Sequence, residues 1–506
     1  MTDAVPAAAR DDRPLREWAD LPGPPGLPLL ANTLQVKPAR LHRQLEQWSR
    51  EYGKLYRLRL GPARILVVAD HEQVAAVLRD RPDGFRRTTR QEAIGLEMGM
   101  KRGLFSANGQ DWARQRRMVM AGFDPAHVKA YFPSLVKVTL RLRSRWQKTL
   151  PAAGQHPAAS PSERPNGGIG NPIDLQADLM RFTVDTITGL AFGQDVNTLE
   201  SDQDVIQNHL DKILPVLYQR IISPIPWWRL IKRRVDRDLD EAIVAVNQAI
   251  DGFVRTARAR LDKDPDRRKH PANLLEAMIV AADQGDSGLS DTDVAGNVMT
   301  MLLAGEDTTA NTLAWMIHLL ARHPSALKRA RDEVLLHAPD PDSFCIEAIG
   351  RLEYLEACAH ETMRLKPVAP FLPLQALRDT TIADVRVPAR MVVINLMRHD
   401  SVDESLVDNA GTFMPERWLR EAEGRSAASD IPAIRRLSIP FGAGPRICPG
   451  RYLAMLEIKM AMAMLLSTFD IHSVATDDGA EPEERLSFTM QPVGLMMRLR
   501  ARTSPG

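Results

Sequence analysis

The chain has 506 residues, 44% of them hydrophobic, and 66 Lys and Arg against 64 Asp and Glu give a formal net charge of +2. That length holds two or three average domains or one large one, and the near-neutral charge gives no reason to expect a nucleic-acid partner. Three cysteines, Cys345, Cys358 and Cys448, make no disulfide framework and suit a reducing cytosol, and no stretch reaches the roughly 18 apolar residues of a membrane span.

Residues 1–20 read as a flexible tail. Asp3, Arg10, Asp11, Asp12, Arg13, Arg16 and Glu17 leave no apolar signal-peptide core, and the acids argue against a mitochondrial transit peptide. Residues 21–30 (LPGPPGLPLL) form a proline-rich extended segment. A helix is predicted over 40–52, a β-hairpin over 56–60 and 64–69 around Gly61-Pro62, and a short helix over 71–80. Trp112 and Arg116 stand one turn apart on one helix face. Residues 154–172, rich in Pro, Ser, Gly and Asn, read as a surface loop or short insertion. An apolar-periodic stretch over 294–322 is unusually long for a globular helix and is stopped by His323-Pro324. Short strands follow over 381–387 and 391–396. The expectation is a mainly α chain with small β-sheets, with Cys345 and Cys358 as ordinary loop and core residues.

The long helix contains Ala304-Gly305-Glu306-Asp307-Thr308-Thr309. Glycine inside a helix costs about 1 kcal/mol relative to alanine. A threonine hydroxyl can bond back to the carbonyl one turn earlier and bend the helix, and together the two open a local groove. Asp307 and Thr308 are adjacent and do not share a face, so Asp307 is expected to point towards solvent. Glu361 and Arg364 share a face at i,i+3, a spacing common in solvated ion pairs.

The ten residues 441–450 read FGAGPRICPG, followed at once by a helical pattern over 452–466. A lone thiolate at a helix start, on a loop with almost no side-chain bulk, is what an axial haem ligand needs. Glycines let backbone approach a flat porphyrin, and N–H groups at a helix N-terminus stabilise negative charge on sulfur. Phe441 can shield that sulfur, and Arg446 can pair with a propionate.

This loop resembles the haem-binding signature of the cytochrome P-450 family, Phe-x-x-Gly-x-Arg-x-Cys-x-Gly, through Phe441, Gly444, Arg446, Cys448 and Gly450. Residues 304–309 resemble the family's acid–alcohol pair, and Trp112 with Arg116 resembles its Trp-x-x-x-Arg. Glu361-Thr362-Met363-Arg364 followed by Phe413-Met414-Pro415-Glu416-Arg417-Trp418 resembles its Glu-x-x-Arg and Phe-x-Pro-Glu-Arg-Trp segments. The resemblance covers about residues 20–500, and it implies one domain over 21–506. It implies the cytochrome P-450 fold, a long distal helix over haem b with a proximal cysteine loop. Cys448 would bind the iron. Ala304 and Gly305 would leave room for dioxygen, Thr308 would hydrogen-bond it, and Asp307 would shuttle protons. Trp112, Arg116 and Arg446 would contact propionates, and Glu361, Arg364 and Arg417 would form a buried structural triad. One departure stands out: the place of the arginine aimed at the second propionate is Leu374, so either Arg378 or Arg398 would compensate or that propionate would be held differently.

Arg114, Arg117, Arg435, Arg436, Arg451 and Lys459 are expected on the proximal face, where they would attract an acidic electron donor. By family analogy segments 97–105, 215–228, 368–372 and 488–493, with Met98, Met100 and Met490, face a hydrophobic organic substrate. The implied protein is a soluble, bacterial-type, cytoplasmic monomer without membrane anchor or fused redox module. It is a haem-thiolate monooxygenase that hydroxylates or epoxidises with O2. Its NAD(P)H electrons arrive through a separate ferredoxin or flavodoxin-type donor. The alternatives are an enzyme that uses or rearranges peroxide, and a non-catalytic haem sensor. The acid–alcohol pair speaks against both.

Overall fold

The computed structural model describes residues 14–123, 125–151, 168–201, 205–419 and 433–502. Its axis is the helix Asp291–Arg322, which starts three residues before the expected boundary. At its N-terminus the Ser290 N–H donates to the Asp293 carboxylate at 2.9 Å, and acids there suit the helix dipole. His323-Pro324 ends it, because proline has no N–H to donate and clashes with the preceding turn. Most of its residues are buried, so the helix runs through the core.

Against it lie the helix Leu175–Phe192, whose Thr183 hydroxyl donates to the Glu306 carbonyl at 3.0 Å, and the helix Arg451–Thr468. All three contribute to one large cluster of buried side chains. The backbone of residues 102–105 is pressed onto the long helix. A Cβ on Gly296 would lie 1.8 Å from the Arg102 carbonyl oxygen, and Asn297, fully buried, accepts from Leu104 N–H at 2.9 Å. Only glycine permits that approach, and it fixes Phe105 beside the helix.

A five-stranded sheet stands at the other side. The hairpin Leu55–Leu60 and Ala63–Val68 falls where the alternation predicts it, with Leu55 opposite Val68. Ala63–Val68 pairs in parallel with Val392–Leu396, which pairs antiparallel with Phe371–Ala376, which in turn pairs with Phe85–Arg87. Phe371–Ala376 escaped the sequence reading because Pro373 interrupts it, and proline is a poor strand residue. The register sets Arg87 opposite Leu374.

The structure corrects other expectations. Residues 1–13 lie outside the described residues, but residues 14–20 are not a tail: Arg16 pairs with Asp384 at 2.7 Å, and Trp18 Nε1 donates to the Ile65 carbonyl at 2.8 Å. Of the segment 154–172, residues 154–167 lie outside the described residues. The rest docks on the strand Met496–Ala501 through the Gly170 N–H, which donates to Leu499 O at 2.8 Å. The strand expected over 381–387 is a small hairpin, Thr380–Ile382 with Val385–Val387, turning at Ala383 with φ 49°. Among the described residues no helix is long and apolar enough to cross a membrane.

Candidate active site

The cysteine loop folds before the helix Arg451–Thr468, as its glycines and prolines predict. Cys448 N–H donates to the Phe441 carbonyl at 2.9 Å, closing the loop on itself. Gly444 has φ 69°, and a Cβ there would lie 2.7 Å from Arg79 Cα, so this glycine seats the loop on the helix His71–Arg79. A Cβ on Gly442 meets nothing within 4 Å, and one on Gly450 only Phe123 Cε1 at 3.9 Å. At those two glycines a side chain would meet open space rather than tight packing. Burial pushes the Cys448 thiol up, against the Gly450 N–H, Arg116 and Arg451, which pull it down. A bound metal cation tips that balance to thiolate.

Around the loop stands a group of guanidiniums without counter-charge. Arg446 lies over the Trp112 ring, 4.9 Å from its centroid, and donates through Nη2 to the Ala107 carbonyl. Burial, with Arg81, Arg86 and Arg116 nearby, pushes Arg446 down to about 9. Burial first, and then like charge, push Arg81 and Arg87 down to about 9 as well; Arg87 acts on Arg81, and Arg446 on Arg87. The Nε atoms of Arg81, Arg87 and Arg446 are buried without a hydrogen-bond partner. Half-buried Arg116 is lowered chiefly by burial, and Cys448 holds it up. Among the described residues no carboxylate pairs with Arg81, Arg87, Arg116 or Arg446, whereas Arg86 pairs with Glu92.

The distal wall is the middle of the long helix. Ala304 is exposed and Gly305, Asp307 and Thr308 are half-buried, in a helix otherwise inside the core. Thr308 Oγ1 donates to the Ala304 carbonyl at 2.7 Å, the back-bond expected of a threonine here. Asp307 departs from expectation. Its carboxylate does not point to solvent but accepts from Thr489 Oγ1 at 2.6 Å and from Asn311 Nδ2 at 3.4 Å, and burial raises its pKa. Phe105 and Phe488 meet with ring centroids 6.1 Å apart, and Met490 N–H donates to Val368 O at 2.8 Å. Met98 and Met490 are core residues, while Met100 is half-buried against the core.

Glu361, Arg364 and Arg417 come together. Arg364 donates to Glu361 through Nε at 2.8 Å and Nη2 at 2.7 Å, and both residues are fully buried. Arg417 Nε reaches the same carboxylate at 3.4 Å, and Trp418 Nε1 and Met414 N–H donate to it at 2.9 Å. Arg364 also donates to the carbonyls of Ser401 and Ala410 at 2.7 Å.

Neither substitute considered for Leu374 is available. Arg378 pairs with Asp80 at 2.9 Å, and Arg398 is buried between Glu46 at 2.8 Å and Glu484 at 3.2 Å. Leu374 is fully buried, and the arginine beside it is Arg87 across the strand pair. Lys459 is not a surface charge either: it is buried and pairs with Glu356 at 3.0 Å. Arg114 pairs with Asp111, whereas Arg117, Arg435, Arg436 and Arg451 are exposed. Sequence reading missed Arg81, Arg87, Asn311 and Thr489. The doublet Arg86-Arg87 was the only local signal, and strand pairing alone places it here.

These features fit a haem. Convergent guanidiniums without counter-charge call for a dianionic edge, the loop offers one sulfur and two glycines beside open space, and the long helix presents an exposed alanine. The comparisons agree. The family model described as Cytochrome P450 matches residues 21–499. The chain is 27% identical over 93% of its length to "Self-sufficient cytochrome P450 monooxygenase CYP505E3" of Phanerodontia chrysosporium, of which it spans 42%. It is 26% identical over 95% of its length to "Putative cytochrome P450 cyp-13B1" of Caenorhabditis elegans, covering 94% of it, and 25% identical over 89% to human "Cytochrome P450 3A5", covering 85%. The solved "cytochrome P450DA heme domain" superposes with a TM-score of 0.78 at 22% identity, covering 97% of this chain and 99% of that one. On these grounds the chain belongs to the cytochrome P450 family, haem-thiolate oxidoreductases that incorporate oxygen from O2.

Proposed function

We propose that this protein is a monooxygenase that inserts one atom of O2 into a hydrophobic organic substrate, drawing its electrons from a separate acidic donor protein supplied by NAD(P)H. The observation that carries the reading is the convergence of Cys448, the unpaired guanidiniums and the Ala304–Thr308 wall. When bound, the haem supplies oxygen activation and electron transfer. Everything else is work for the chain.

Cys448 would hold the metal, with Phe441 and Gly450 at the sulfur. Arg446, Trp112 and Arg116 would hold one propionate edge. Arg87, set opposite Leu374, supplies with Arg81 the charge that the missing arginine would carry. Thr308 offers its hydroxyl oxygen outward from a helix whose carbonyl it caps, and Asp307 is the acid that recharges it. Phe105, Phe488 and Ala304 exclude water and favour an apolar substrate. The triad around Glu361 is structural: it anchors residues 401–418 to the core.

The exposed Arg117, Arg435, Arg436 and Arg451 support docking of an acidic ferredoxin or flavodoxin-type donor. The pair Asp307 and Thr308 supports O2 over ready-made peroxide, since peroxide brings its own protons, and a haem sensor needs neither residue. The test is turnover under ¹⁸O2 with a ferredoxin, its reductase and NADPH. One labelled atom per product supports the reading. Label from water, or turnover sustained only by added H2O2, overturns it.

A further inference from the structure

The segment Thr489–Gln491 reaches the long helix at two points one turn apart, directly through Thr489 and by way of Gln176 through Gln491. Thr489, at the edge of the strand Met490–Pro492, donates to Asp307 at 2.6 Å. Two residues on, Gln491 accepts from Gln176 Nε2 at 2.9 Å, and the same nitrogen donates to Asn311 Oδ1 at 2.9 Å. Asn311, fully buried, turns its amide to Asp307 at 3.4 Å. Both carboxylate oxygens of Asp307 are therefore engaged, and neither by Thr308, whose hydroxyl is committed to Ala304. An acid in this state is held, not delivering.

The turn that presents Thr489 is strained. Phe488 has φ 102°, a region that a bulky side chain rarely adopts, and Ser487 N–H closes on Thr489 O at 3.0 Å. This strain directs two neighbours to different tasks. The half-buried Phe488 ring lies against the half-buried Phe105 ring, and the Thr489 hydroxyl, on a residue 5% exposed, lies against Asp307.

We propose that residues 487–490 form a substrate-responsive latch: Thr489 is a positioning residue that holds the Asp307 carboxyl off Thr308, and an apolar molecule that displaces the Phe488 ring relaxes the turn and frees the carboxyl to rotate towards Thr308. This rests on the reading of Asp307 as proton donor. The proton comes from solvent, resides on an Asp307 Oδ atom and passes to the Thr308 oxygen as the Thr308 proton moves on; no bond to carbon changes in the latch itself. Premature release diverts turnover into O2 + NADPH + H⁺ → H2O2 + NADP⁺.

The test uses the haem-loaded full chain with styrene as a small apolar probe. A double-mutant cycle of Thr489→Val and Asp307→Asn is run by urea unfolding, with and without saturating styrene. Residues in direct contact couple by roughly fivefold or more in the unfolding constant. The expected result is about fivefold coupling without styrene and less than twofold with it. NADPH-driven H2O2 release without styrene should at least double in T489V and return to the wild-type rate in T489S, which keeps the hydroxyl, whereas with saturating styrene T489V should match the wild type. An additive cycle, or T489S behaving as T489V, overturns the latch. Coupling that styrene leaves unchanged overturns its release by substrate. Asp307→Asn with a wild-type H2O2 ratio would instead sink the proton-donor reading, while the cycle would still report the Thr489 contact.

Discussion

Replacing Arg87 by Met should have opposite effects on the protein with and without haem. Arg87 is half-buried, its Nε has no partner, and its charge lies in the field of Arg446, which together with burial holds it down to about 9. An uncompensated charge in such a place destabilises the fold. Removing one relieves about 1 kcal/mol or more, the lower end of the range for replacing buried charge by an apolar chain of similar length. Against that stands the loss of the contact with Phe105, 4.0 Å from guanidinium carbon to ring centroid, worth about 0.5–1 kcal/mol. The apo-protein should therefore be unchanged or slightly more stable. The haem-bound protein loses a charge-assisted hydrogen bond of about 1.5–3 kcal/mol, which is roughly a 10- to 150-fold faster loss or weaker binding of haem. Urea titration of the apo-protein and haem transfer to an excess of apomyoglobin read the two effects separately. If R87M destabilises the apo-protein by several kcal/mol, or leaves haem transfer at the wild-type rate, the assignment of the unpaired guanidiniums to the propionates is wrong.

Glu361→Ala removes the carboxylate that Arg364, Arg417, Trp418 and Met414 share and leaves the fully buried Arg364 without its partner, so unfolding should become easier by about 3–5 kcal/mol in denaturant; a loss below about 1 kcal/mol would contradict a structural role. Buried Glu457, raised by burial to about 8 although Thr309 donates to it, binds a proton in the folded protein that the unfolded chain has released. Its folded pKa lies above its unfolded value of 4.5, so stability falls as pH rises from about 4.5 to 8, and Glu457→Gln should flatten that part of a stability-versus-pH curve. Thr308→Ala should keep haem and substrate binding but release several-fold more H2O2 per NADPH; an unchanged ratio would remove Thr308 from proton delivery. Arg451→Glu should slow reduction by an acidic ferredoxin at least tenfold at low salt and much less at high salt, measured by stopped flow.

What the sequence made legible is what is local. The cysteine loop is ten contiguous residues whose glycines, prolines and following helix specify their own conformation, and the back-bond of Thr308 needs only the turn before it. The i,i+3 pair of Glu361 and Arg364 is likewise local, and Arg417 joined it through a second contiguous motif. What escaped depends on distant chain. Arg87 reaches the site because Phe85–Arg87 pairs with Phe371–Ala376, a strand that Pro373 disguises. Adjacency separated Asp307 from Thr308 correctly, yet which way Asp307 faces is decided by Thr489, 182 residues away, presented by a positive-φ turn at Phe488 that no side-chain pattern announces. Lys459 looked like surface charge because the helix Arg451–Thr468 has no polar face to mark what is outside. It is buried almost all round, and the lysine escapes by pairing with Glu356.

The central claim is that Cys448 binds haem iron as thiolate, and the carbon monoxide difference spectrum of the reduced, purified protein tests it most directly. The expected result is a strongly red-shifted Soret band that Cys448→His abolishes while haem is retained. A band typical of histidine- or thiol-ligated haem in the wild-type protein, or a red-shifted band that survives in C448H, would contradict it.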